Sequence, residues 1–133
     1  DVSHILHAGD IGDPDILIAL ETVAPVTAVW GNTDGFAIRA RVPEIATVEL
    51  DGRALVVVHG HQFGSPSPAA LQRAFSQADV VVFGHTHRPA TEWIGDGLYL
   101  NPGGAGAPRF RLRPSIALLE LREGDADVRL IEL

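Results

Sequence analysis

Five residues able to bind a cation follow apolar stretches that break at glycine. They are Asp10, Asn32, His59, His85 and His87, in the segments Gly9-Asp10, Gly31-Asn32, His59-Gly60 and Gly84-His85-Thr86-His87. The donor types fit together. Asp10 offers a carboxylate that can bridge two cations, and Asn32 a neutral amide oxygen. The three imidazoles suit Zn, Fe, Mn or Ni, and the oxygen ligands tilt the set toward Mn. His85 and His87 stand two apart, so both can point into one site around Thr86. Two cations ~3.5–4 Å apart would clamp a phosphoryl group and activate a water between them. Singly, Gly9-Asp10 and Gly31-Asn32 read more plainly as turns, and Gly84-His85-Thr86-His87 after an apolar strand is the sharpest single metal signal; all four in this order are hard to explain as turns.

The elements that must position these residues are legible in outline. Residues 2–7 read as a strand, with His4 a satisfied sheet-face histidine and His7 near the strand end. Asp13 then Pro14 is an N-cap followed by proline at the first helical position, and the helix runs to about Val23. Residues 26–30 form a second strand, broken at Gly31. Residues 47–50 and 54–58 flank the hairpin signal Asp51-Gly52. Residues 66–77 read as a helix with Leu71, Ala74 and Phe75 inward, and 80–83 as a buried strand. Hairpins follow, at 91–94 with 98–100 and at 115–121 with 128–133. The first half thus alternates strand and helix, and the second half is rich in hairpins. This mixture predicts an α/β fold of two packed β-sheets flanked by helices. Ligands of open α/β sheets gather outside the carboxyl ends of parallel strands. If the four strands are parallel neighbours, their polar groups share one rim.

Composition narrows the classes. A chain of 133 residues predicts one domain, 1–133. With 46% hydrophobic and 20% charged residues it is too apolar for disorder. No apolar run reaches the ~18 residues of a membrane span, and no signal peptide is visible. The absence of Cys excludes disulfides and thiolate metal sites. All ten basic residues are Arg, so a Walker-type phosphate loop is excluded. A net charge of −7 argues against duplex nucleic acid as a partner. A cytoplasmic setting and a small-molecule substrate are expected. Trp30 reads as a core residue at a strand end; Arg39, Arg41 and Arg88 could attract anions near the rim.

Gly9-Asp10, Gly31-Asn32-x-Asp34, His59-Gly60-His61 and Gly84-His85-x-His87 together resemble the successive motifs of the calcineurin-like metallophosphoesterases. The likeness is strongest to small bacterial and archaeal phosphodiesterases of the YfcE type. Asn101-Pro102-Gly103-Gly104 is similar to that group's Asn-Pro-Gly-Ser stretch. The resemblance implies an αββα sandwich that hydrolyses phosphate diesters or monoesters with a metal-activated hydroxide, often with Mn. It implies that Asp10 bridges two divalent ions, that Asn32, His59 and His85 hold one, and that His87 holds the other. It places His61 and Asp34 near the substrate as catalytic candidates and Arg109 near a phosphate. Thr33 stands where many members carry a proton-donating His. The family's first strand ends in Asp-x-His, a motif absent here. The expectation is therefore a chain lacking its first strand and helix, in which the second ion keeps only Asp10 and His87. Exposed sheet edges would then favour homo-oligomers. An alternative is an impaired member acting as a binding or scaffold module.

Overall fold

The computed structural model describes residues 2–106 and 112–133. Nine strands run in the order β1 (Ile5–His7), β2 (Val26–Ala28), β3 (Ile45–Leu50), β4 (Arg53–Val58), β5 (Val80–Phe83), β6 (Ala90–Ile94), β7 (Gly97–Asn101), β8 (Ser115–Arg122) and β9 (Asp125–Glu132). Three helices, α1 (Pro14–Glu21), α2 (Phe36–Arg39) and α3 (Pro68–Ala74), lie between them, with a single 3-10 turn at His61–Phe63.

The strands form a five-stranded sheet in the order β3-β4-β5-β7-β6, a parallel pair β1-β2, and an antiparallel hairpin β8-β9. Strands β4, β5 and β7 are parallel neighbours, with Val58 opposite Phe83 and Val82 opposite Leu100. Their sequences are almost wholly apolar because both faces are covered. One face packs Leu55, Val57, Val80, Val82 and Leu98 against Val29, Leu6 and Ala8 of the β1-β2 layer, and against Leu119, Leu121 and Val128 of the last hairpin. The other face packs Val56, Val58, Val81, Phe83 and Tyr99 against Leu71 of α3 and its neighbours Phe63 and Phe75. On the far side of β1-β2, Ile11, Leu17, Ala28 and Ile38 bury α1 and α2. The layers therefore run helix, sheet, sheet, helix, as the composition of elements implied.

Local signals explain the ends of elements. Asp13 caps α1 by accepting from the Asp15 amide, with Pro14 at the first position. Ser67 and Pro68 repeat the device at α3. Asp51 and Gly52, at φ 53 and 73, form the tight connection of β3 to β4. Some boundaries differ from the sequence reading. Strand β1 is shorter, and His4 precedes it with Nε2 2.8 Å from Thr27 Oγ1. The short helix α2 and the 3-10 turn carry no capping side chain, which is why pattern alone does not reveal them. Among the described residues no helix is long and apolar enough to cross a membrane.

Candidate metal centre

The four donor-bearing strand ends do meet, but as two pairs from two sheets rather than as four neighbours in one. Asp10 and Asn32 follow β1 and β2, and His59 and His85 follow β4 and β5. The face-to-face packing of the layers closes the gap. Within each pair, backbone bonds hold the loops in step: Val29 N donates to the His7 carbonyl at 3.1 Å, and Gly84 N to the His59 carbonyl at 2.9 Å. Both between the pairs and within the first, contact is too close for side chains at two glycines. A Cβ on Gly9, already at φ +102, would lie 2.7 Å from His59 Nδ1. A Cβ on Gly31 would collide with the Asp10 carboxylate. These two positions require glycine.

His59 is 2% exposed. Its Nδ1 lies 2.7 Å from the carbonyl oxygen of Ala8. A carbonyl can only accept, so Nδ1 carries the proton and donates. In its neutral form that ring presents the Nε2 lone pair to the site. Nε2 stands 3.0 Å from Asn32 Oδ1 and 3.3 Å from Asp10 Oδ2. His85 Nδ1 lies 3.2 Å from the same Asn32 oxygen and 3.3 Å from His59 Nε2. Four atoms able to ligate a cation thus share one small volume, three of them within 3.3 Å of the fourth, His59 Nε2. Ligand atoms around a divalent ion with bonds of about 2.1 Å stand ~3.0–3.4 Å apart, so this spacing suits a shared cation. The Ala8–His59 bond is the outer partner that fixes the tautomer of a ligating histidine. Among the described residues no group of three or more His, Asp and Glu side chains is arranged to hold an ion by itself. The Asn32 amide, within reach of both imidazoles, closes the set.

Electrostatics agree with the donor roles. Burial pushes the Asp10 carboxyl up, but its bonds with His59 and Thr33 outweigh that and hold it well below the usual carboxylate range. Burial, then the neighbouring His59, lowers His85; burial, then His59 and His85, lowers His61. Both rings therefore favour the neutral form that can donate a lone pair. Backbone strain gathers here as well. Of the non-glycine residues with left-handed φ, Asp10 (54°), His85 (71°) and His87 (61°) are candidate ligands. Such conformations persist where surrounding bonds over-determine them. Asp10 Oδ1, for example, accepts from the Thr33 amide at 3.0 Å.

The other sequence candidates fall differently. Among the described residues His87 makes no hydrogen bond to the four; it lies against Gly104, where a Cβ would be 2.7 Å from its Nδ1. His61 stands at the mouth, its ring centroid 5.5 Å from His59, 6.5 Å from His85 and 5.6 Å from Trp30. Its Nδ1 is buried with no partner among the described residues. Asp34 is 4% exposed and faces inward. Its Oδ2 accepts from Gly31 N at 2.8 Å and Ile11 N at 3.1 Å, and its Oδ1 from Gly12 N at 2.8 Å. That carboxylate clasps the Asp10 loop to the Asn32 loop. Arg109 lies outside the described residues.

Two residues named in the sequence take on roles that only the structure shows. Asn101 is 1% exposed. Its Nδ2 donates to the Gly84 carbonyl at 3.2 Å and to Thr86 Oγ1 at 3.1 Å, while its Oδ1 accepts from Gly103 N at 3.0 Å. It pins the loop of His85 and His87. Trp30 is half-buried, with the Arg39 guanidinium 4.1 Å above its ring. The Asn-Pro-Gly stretch pointed to the first of these; no local signal marks the second.

Comparison with known proteins places the geometry in context. Residues 1–124 match the model of the calcineurin-like phosphoesterase superfamily domain. A probable metallophosphoesterase of Methanothermobacter thermautotrophicus is 35% identical over 133 residues, covering 98% of this chain and 76% of that protein. Phosphodiesterase YfcE of Escherichia coli strain K12 is 35% identical over 108 residues, covering 75% of this chain and 55% of that one. Wild-type Vps29 of Entamoeba histolytica, solved in complex with Zn2+, superposes with a TM-score of 0.79 at 25% identity, covering 98% of this chain and 82% of that chain. With two packed sheets bringing Asp10, Asn32, His59 and His85 to one mouth, and a family match over most of its length, the chain belongs to the calcineurin-like phosphoesterase superfamily.

Proposed function

We propose that this chain serves a metal-dependent phosphoesterase acting on a small phosphate diester or monoester, with Asp10, Asn32, His59 and His85 holding one divalent cation. The observation that carries the reading is the meeting of four lone-pair atoms at 3.0–3.3 Å, with the His59 tautomer set by Ala8. Divalent cations, when bound, lower the pKa of a water nucleophile and neutralise charge on the phosphoryl oxygens. The mixed oxygen and nitrogen donors favour Mn over softer-site metals. His87 is the remaining imidazole for a second ion next to Asp10. His61, at the mouth with an unsatisfied Nδ1, is placed to hold or pass a proton. Asp34 acts by fixing the Asp10 and Asn32 loops against each other. The neutral imidazoles orient a phosphoryl group without adding charge of their own.

The test is Mn2+ binding by calorimetry together with hydrolysis of bis-p-nitrophenyl phosphate. Stoichiometric binding and turnover, both lost in Asp10→Asn and His85→Ala, support the reading. Wild-type protein that binds no Mn2+ or Ni2+ and leaves the ester intact overturns it. A second reading, a binding module on the same fold, is favoured by one observation: His87 stands apart from the four-donor cluster. It predicts at most one bound ion and no turnover.

A further inference from the structure

We propose that Arg39 is a specificity-determining residue that reads a second phosphate on the substrate, separate from the reacting phosphoester. The inference rests on the phosphoesterase reading and deepens it. Arg39 ends α2, the short helix that begins two residues after Asp34. Its guanidinium is fixed in two directions. Nε donates to the Asp34 carbonyl at 2.8 Å, and Cζ lies 4.1 Å above the Trp30 ring. The opposite end of this stack leads to the metal centre: Trp30 is 5.6 Å from His61, which is 5.5 Å from His59. Arg39, Trp30, His61 and His59 thus form one run of successive contacts that ends at a metal-ligand candidate.

The guanidinium faces no carboxylate among the described residues, since the ion pairs there involve Arg53, Arg113, Arg122 and His59. An unpaired Arg is ordinary on a surface. An unpaired Arg held on one nitrogen and one face, in a chain of net charge −7, is not. Arg41, Arg73, Arg88 and Arg129 also lack a described ion pair, but no described contact fixes their guanidiniums. In Arg39 the Nε bond and the stack leave both Nη groups free, a fork that matches two oxygens of a phosphate. The ordering cost of the side chain is met before any ligand arrives. Trp30 and His61 follow one another as ring neighbours from the guanidinium to His59, and the group proposed for the fork is one other than the reacting one.

The test compares two esters with the same leaving group, thymidine 5′-(p-nitrophenyl phosphate) and its 3′-phosphorylated counterpart. Wild type favours the 3′-phosphorylated ester. Arg39→Ala lowers kcat/KM on that ester about ten- to hundred-fold, the range of a charge-assisted hydrogen bond, and leaves the other ester nearly unchanged. Arg39→Lys recovers part of the loss, as charge without the fork. Equal losses on both esters, or no wild-type preference, overturn the proposal. A binding arm stands apart from turnover. In a Trp93→Phe background, inorganic pyrophosphate is titrated into metal-free protein while Trp30 emission is followed. A saturable change that Arg39→Ala abolishes supports the site; an unchanged emission overturns it. Should wild type cleave neither ester, the phosphoesterase reading fails and the emission arm alone decides on Arg39.

Discussion

The imidazole of His59, at the end of one sheet, donates its Nδ1 proton to the carbonyl of Ala8, at the end of the other, at 2.7 Å. This bond turns the packing of two layers into the chemistry of one atom, because it commits Nδ1 to Ala8 and makes Nε2 the ring nitrogen that faces Asp10 and Asn32. Anything that pushes the layers apart at this point degrades the site before it degrades the fold.

Gly9→Ala tests that coupling. Its Cβ would press on His59 Nδ1 and on Gly31 N, at 2.7 and 2.9 Å. Gly12, also left-handed at φ +91, has open space where a Cβ would go. Both substitutions carry a backbone cost of about 1–2 kcal/mol. Only Gly9→Ala should also weaken Mn2+ binding, by roughly 10- to 100-fold, the usual effect of disturbing a ligand's outer partner. Calorimetric titration of the two variants separates strain from misplacement; equal affinities would contradict the coupling.

Asp34→Asn removes one acceptor from a carboxylate that satisfies three backbone amides. At least one buried donor loses its partner, so stability should fall by about 1–3 kcal/mol in urea denaturation. Metal affinity should fall with it, because the Asp10 and Asn32 loops are no longer clasped. A variant of native stability and affinity that had lost turnover alone would instead give Asp34 a direct part in proton transfer.

Asn101→Leu should be comparably destabilising, by about 1–3 kcal/mol, since the part-buried Gly103 amide loses its acceptor and the Gly84 carbonyl and Thr86 hydroxyl each lose a donor. The loop it releases carries His85 and His87. The expected signature is a metal affinity that falls further than it does in Leu71→Ala, a core substitution on the far face of the sheet that costs about 2–5 kcal/mol but touches no ligand loop. Paired denaturation and metal-titration curves check the order.

Metal itself should stabilise the protein. Binding confined to the folded state adds about 2.7 kcal/mol when free ion is 100 times its dissociation constant. Chelated protein should melt lower than protein in excess Mn2+, with the difference abolished in Asp10→Asn and His85→Ala. A melting temperature indifferent to chelation would speak against an ion at these residues.

Residue type and short-range spacing alone settled a good part of this protein. The run Val80–Phe83 read as a buried strand, Asp51-Gly52 as a hairpin turn and Asp13-Pro14 as a helix start, whereas the helix read from residue 66 begins at Pro68, capped by Ser67. The donors Asp10, Asn32, His59 and His85 were visible because each breaks an apolar run at a glycine. What spacing could not carry was the third dimension. Neighbouring strand ends might have shared one sheet; instead β1-β2 and β4-β5 face each other, and only their packing brings the four donors within 3.3 Å. Asp34 was legible as a site candidate, but spacing could not show that its oxygens accept from the Ile11, Gly12 and Gly31 amides, two of them more than 20 residues away in the chain. Trp30 read as core because apolar pattern cannot distinguish an interior ring from one stacked under Arg39. Periodicity is a property of neighbours along the backbone, whereas hydrogen-bond saturation and ring stacking depend on which distant segments pack together.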